Sequence, residues 1–94
     1  MSLEQEAEQG RQASLLLDNP IYKDSIQAVR EGIYTAWATC PIRDVEGQHE
    51  LKLMLKLLND LTANIQMVAQ TGTLAKIEIE RQRSLTQRVK DFVA

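Results

Sequence analysis

The chain has 94 residues, of which 44% are hydrophobic and 4% aromatic, and its formal net charge at pH 7 is −2. This length predicts a single small domain, and the near-neutral charge argues against a global attraction to nucleic acid or anionic membranes. A lone cysteine, Cys40, excludes an internal disulfide framework, and no apolar run is long enough to predict a membrane span. The acidic N-terminus is unlike a secretory signal, so we expect a cytoplasmic protein.

The first predicted helix covers residues 3–17. Ser2 and Gln5 have the spacing of a capping box, which starts a helix by satisfying its free N–H groups. Its apolar side is thin, and Gly10 lowers helix stability by about 1 kcal/mol relative to Ala. We therefore expect this helix to be weak.

The second predicted helix covers residues 20–40. Asn19 is a favourable N-cap and Pro20 is favoured at the first helical position, while Pro41 forces the helix to end. Near-heptad spacing predicts a buried seam, with Trp37 as a structural anchor and not a ligand platform. The seam comprises Tyr22, Ile26, Val29, Ile33, Trp37 or Ala36, and Cys40.

A stripe of small residues lies beside this seam. Ala28, Gly32 and Ala36 are four residues apart, so they share one side of the helix and would let another backbone approach closely. Tyr34 falls off the seam, which makes it a candidate for contact with another subunit or partner.

The third predicted helix covers residues 45–70, with Asp44 as its cap. Because residues 41–44 form a short connection, helices 20–40 and 45–70 should pack as an antiparallel hairpin in an all-α fold. Leu53 and Leu57 lie beside the apolar seam of this helix and cannot share its hairpin partner, so we expect the protein to self-associate. The seam is a heptad run of Leu51, Met54, Leu58, Leu61, Ile65 and Val68.

Gly72 is predicted to stop the third helix, with Thr73 capping a fourth over residues 74–93. The alternative is one helix that continues through Gly72 at a cost of about 1 kcal/mol. The last segment is basic, which makes contact with nucleic acid a second hypothesis, although Glu78, Glu80 and Asp91 interrupt the positive charge. The candidate contact residues are Arg81, Arg83, Arg88 and Lys90.

The chain carries no residue pattern typical of an enzyme, a metal site or a cofactor site. His49 is the only histidine, and it lies near Glu46 and Glu50 in the first turns of the third predicted helix, where the helix dipole favours acidic residues, so a solvated helix start is favoured over a metal site. Cys40 lacks a CxxC partner and any residue that would activate it as a nucleophile. We therefore predict a non-enzymatic protein with no catalytic, cofactor-binding or metal-ligating residues.

One group of proteins shares several of these features. Leu-Leu-x-Asn-Pro at residues 16–20, Trp37, Pro41, the segment 43–47, the leucine-rich stretch 51–58 and Thr71-Gly72 resemble small helical proteins of tailed bacteriophages and prophages. The resemblance covers roughly residues 12–80, and it implies a protein of the virion-assembly and DNA-packaging region. It implies no catalytic residues.

These observations together predict a phage protein that assembles with itself. Its interface would comprise Ala28, Gly32, Ala36, Tyr34, Leu53 and Leu57. Its partners would be further copies of the chain and another phage or host protein, in the cytoplasm of the host cell or in the virion. The alternative is a nucleic-acid-binding packaging or regulatory protein, similar to a small terminase subunit, that uses the basic C-terminal helix.

Overall fold

A computed structural model describes residues 2–93, and it contains three α-helices. The helices are α1 (Leu3–Asp18), α2 (Pro20–Thr39) and α3 (Val45–Val93), of 16, 20 and 49 residues. No strand occurs in the described part of the chain. The predicted all-α class is confirmed.

The helix N-termini form where the sequence predicts them, because side chains next to each start satisfy free backbone N–H groups. Ser2 and Gln5 form the reciprocal capping box, with bonds of 3.0 and 3.1 Å. The Asn19 Oδ1 atom accepts from the N–H groups of Ile21 and Tyr22 at 2.8 and 3.1 Å. Asp44 starts α3 in the same way, and the bond from the Gly47 N–H measures 2.9 Å.

The predicted helix break at Gly72 is wrong, since α3 continues without interruption to Val93. Gly72 has no left-handed backbone conformation. The Thr73 hydroxyl donates to the Ala69 carbonyl at 3.1 Å, one turn earlier in the same helix, and does not cap a new one. The separate helices 45–70 and 74–93 are therefore one element.

The contacts within the chain define two compact units. The terminal unit comprises Met1–Leu15 and Gln66–Ala94, and the central unit comprises Leu16–Ile65. The expectation of a single domain stays a prediction.

In the terminal unit, α1 and α3 cross where both helices have glycine. A Cβ atom on Gly10 would overlap the Cα of Gly72 and lie 3.1 Å from the Val68 carbonyl oxygen. Ala13 and Ala75, three residues further along each helix, are also buried. The small side chains bring the two backbones into direct contact, which offsets the low helix propensity of glycine.

In the central unit, Ile33 of α2 and Leu58 of α3 are the buried large side chains. Tyr22 and Leu51 of the predicted seams are half-buried. The prediction that the seams are buried throughout is wrong, because about half of the surface of Val29 in α2 and of Met54 and Leu61 in α3 is exposed. The prediction that Trp37 is a buried anchor is wrong, because 49% of its surface is exposed. Residues of α3 lie beside Trp37 in a shallow groove, but within the described residues no further helix covers that groove, and heptad spacing cannot predict this.

Candidate interaction surfaces

One side of the central unit is marked by a polar contact between its two long helices. The Arg30 guanidinium of α2 donates a hydrogen bond to the Asn59 side-chain oxygen of α3. Next to this contact, Tyr34 and Trp37 line a shallow groove of about 410 Å³ whose other wall includes Leu51 and Leu55.

The opposite side of the central unit carries most of the predicted interface residues. Gly32 is two residues after Arg30, and Leu57 is two residues before Asn59. Two residues turn a helix by about 200°, so Gly32 and Leu57 point away from the polar contact. They therefore lie on a common face, which we call the open face: Val29, Gly32, Ala36, Met54, Leu57 and Leu61.

The open face is apolar and largely uncovered. Leu57 is 72% exposed, and about half of the surface of Val29, Met54 and Leu61 is exposed as well. Ala28 and Leu53, which are also exposed, lie at its outer edges. The predicted interface set is thus divided, because Tyr34 belongs to the groove on the other side.

Gly32 differs from the glycines of the terminal unit. A Cβ atom at Gly32 would meet no atom within 4 Å, whereas one at Gly10 or Gly72 would collide with backbone. Close backbone approach was predicted for Gly32, whereas within the chain it occurs between Gly10 and Gly72, which the sequence did not predict. The small residues Ala13 and Ala75, three positions after each glycine, are the signal that could have identified it.

The potentially reactive side chains have ordinary surroundings. Partial burial raises the pKa of the Cys40 thiol, and the charge of Asp44 raises it further, which disfavours the thiolate that a nucleophile needs. Among residues 2–93, no group of three or more His, Cys, Asp or Glu side chains is placed to hold a metal ion. His49 is exposed.

The last 13 described residues of α3, which we call the C-terminal arm (residues 81–93), are all exposed. Arg81 is paired with Glu78 at 2.6 Å, and Arg83 lies 3.8 Å from Glu80. Arg81 also lowers the pKa of Glu78 by hydrogen bonding. Two of the four residues predicted to contact nucleic acid, Arg81 and Arg83, therefore lie next to a carboxylate. The other two are Arg88 and Lys90.

The acidic start of α1 holds a similar local pair. Arg11 donates two hydrogen bonds to the Glu8 carboxylate, at 3.0 and 2.7 Å, and Gln12 donates a third at 3.2 Å. These bonds, that of Arg11 foremost, lower the pKa of Glu8 from 4.5 to about 2. Both side chains are exposed, so the pair fixes local geometry and adds little stability.

Comparison with known proteins identified no relative of the chain. No protein-family model, no characterised protein and no solved structure matches the chain. Within the described residues, no helix is both long and apolar enough to cross a membrane.

Proposed function

We propose that the protein is non-enzymatic and acts by assembling with itself through protein–protein contacts. The observation that carries this proposal is the apolar open face of the central unit, on which Leu57 is 72% exposed and about half of the surface of Val29, Met54 and Leu61 is exposed. Monomeric soluble proteins rarely leave a contiguous patch of large apolar side chains uncovered, and such a patch is typical of a protein–protein contact.

The contacts of the central unit support an antiparallel hairpin of α2 with the first part of α3. Arg30 meets Asn59. Groove residues that follow Arg30 along α2, such as Trp37, lie near residues that precede Asn59 along α3, such as Leu51. The two helices therefore run in opposite directions, and the open face is one side of the resulting two-helix layer.

Self-association fits the chemistry of this face better than ligand binding does. Its large side chains are aliphatic, and none of its members carries a charge. An apolar surface on a two-helix layer is covered most simply by a second layer, as in a four-helix bundle. The assignment to virion assembly is a finer proposal, supported only by the resemblance of residues 12–80 to small phage proteins.

Light scattering of the purified chain at micromolar concentration tests the proposal. We expect a dimer or higher oligomer, and we expect the double variant Leu53→Glu, Leu57→Glu to lower the mass to that of a monomer. The matched control places the same two charges on exposed alanines that point away from the open face, as Ala38→Glu with Ala63→Glu. A monomeric parent chain, or equal behaviour of the two double variants, would contradict it.

The nucleic-acid hypothesis makes a separate prediction about the C-terminal arm. Binding through Arg81, Arg83, Arg88 and Lys90 should weaken steeply as salt rises, because each neutralised phosphate releases counterions. We expect no submicromolar binding in mobility-shift titrations at low or physiological salt. Salt-sensitive binding that disappears when these four residues are replaced by alanine would favour the packaging function instead.

A further inference from the structure

We infer that the open face forms a two-fold symmetric dimer in which Leu57 of each copy packs onto Gly32 of the other. This inference rests on the proposed self-association and specifies its partner, its surface and its symmetry. The occupant of the face is a second copy of this chain.

Gly32 is the first observation that points to a partner. Glycine is the poorest helix former after proline, and Gly32 lies in the interior of α2. A contact within the chain explains why positions 10 and 72 are glycine, because each of these residues contacts the backbone of the other. Gly32 contacts nothing within its own chain where its Cβ would be, so the space above it is free for a side chain from another molecule.

The second observation is that Gly32 and Leu57 lie at the same level of the proposed hairpin. The Arg30–Asn59 hydrogen bond sets the register between the helices. Both helices rise 1.5 Å per residue, so two residues forward on α2 and two residues back on α3 reach one level. The layer thus has a hollow at Gly32 and a projecting side chain at Leu57, side by side.

Symmetry then selects the pairing. If the two-fold axis runs parallel to the helices, α2 of one copy lies over α3 of the other with no shift in level. Each Gly32 then faces the partner's Leu57, and each Leu57 faces the partner's Gly32, as an isologous interface requires. If the axis ran across the helices, α2 would lie over α2 and α3 over α3, so Gly32 could not meet the Leu57 side chain of the other copy.

Sedimentation equilibrium of Gly32→Leu and Ala38→Leu tests the dimer. The first substitution fills the hollow, while the second adds the same side chain to an exposed position of α2 away from the open face. Because the new Cβ at Gly32 meets open space, Gly32→Leu should keep the helical circular dichroism of the parent. We expect it to raise the dimer dissociation constant about 100-fold, since the collision occurs twice, and we expect Ala38→Leu to leave the constant unchanged.

Mixing two variants tests the reciprocal contact. Leu57→Ala should also weaken the dimer, because it leaves two holes. In a mixture of Gly32→Leu with Leu57→Ala, each contact again has one large and one small residue, so we expect a heterodimer tighter than either homodimer.

The outcomes separate the two proposals. A dimeric parent chain with an unaffected Gly32→Leu variant, or with no heterodimer in the mixture, would overturn the Leu57–Gly32 interface and leave self-association standing. A monomeric parent chain would overturn both proposals.

Discussion

The terminal and central units hold their helices together by opposite means. In the terminal unit the buried residues at the crossing are Gly10, Ala13, Gly72 and Ala75, so backbone packs against backbone. In the central unit the buried residues are Ile33 and Leu58, so branched side chains fill the space between the helices. The packing of the terminal unit therefore requires that positions 10 and 72 have no side chain. The packing of the central unit requires the large side chains of Ile33 and Leu58.

This difference shows why a glycine affects stability differently at different positions of the chain. A glycine in a helix interior lowers helix stability, and the loss is offset only where something packs closely against it. Gly72 has such a contact within the chain, and Gly32 has none. The same substitution, Gly to Ala, should consequently have opposite effects on the fold at these two positions.

The largest change in the free energy of unfolding should come from shortening a side chain in the central unit. Leu58→Ala removes one of its two buried large side chains and should lower the free energy of unfolding by about 3 kcal/mol. Hydrogen exchange measured by mass spectrometry should become faster within residues 16–65. Equal acceleration throughout the chain would mean that the two units do not open separately.

The next effect should come from lengthening a side chain in the terminal unit. Gly72→Ala would place a methyl group into the backbone of Gly10, and it should lower the free energy of unfolding by about 2 kcal/mol despite its better helix propensity. Ser84→Ala, at an exposed position of the same helix, is the control and should be nearly neutral. A Gly72→Ala protein as stable as this control in chemical denaturation would show that the crossing is not close.

Trp37→Ala should have a smaller effect than the size of the side chain suggests. Complete burial would predict a loss of roughly 3–5 kcal/mol, but the indole is half exposed at the edge of the groove. We expect a loss of about 2 kcal/mol in thermal or chemical denaturation. A loss greater than that of Leu58→Ala would show that the groove side, and not the buried seam, stabilises the central unit.

The smallest effect concerns the Glu8–Arg11 pair of the terminal unit. The pKa of Glu8 is lowered to about 2 in the folded chain, so the stability it adds is present above pH 4.5 and disappears as the pH falls towards 2. Titration of the Glu8 carboxylate by NMR should show this low pKa. Arg11→Ala should return it towards 4.5, and an unchanged low pKa in that variant would exclude Arg11 as the cause.

Sequence reasoning predicted the features that depend on neighbouring residues. The caps at Ser2, Asn19 and Asp44 and the stop before Pro41 follow from side chains that bond backbone groups two or three positions away, or from the steric effect of proline. Such interactions require no knowledge of the rest of the fold. The bounds of α1 and α2 were accordingly predicted within one residue.

The errors concern residues whose state is decided by distant parts of the chain. The residues around Gly72 resemble a helix stop, but α3 continues through it, and its backbone contact with Gly10 involves a residue 62 positions earlier. Trp37 has the spacing of a buried residue, but it is half exposed because the groove that it shares with α3 is open to solvent. Spacing along one helix cannot give either answer, because both depend on which second helix is adjacent.

The contact between Gly10 and Gly72 also restricts how this chain can diverge. A larger residue at one position cannot be accommodated by a smaller one at the other, because glycine has no side chain left to remove. Relatives that keep this crossing should therefore retain a glycine at each position independently, without correlated change. In the proposed dimer, by contrast, a larger residue at position 32 can be compensated by a smaller one at position 57, so these two positions should change together.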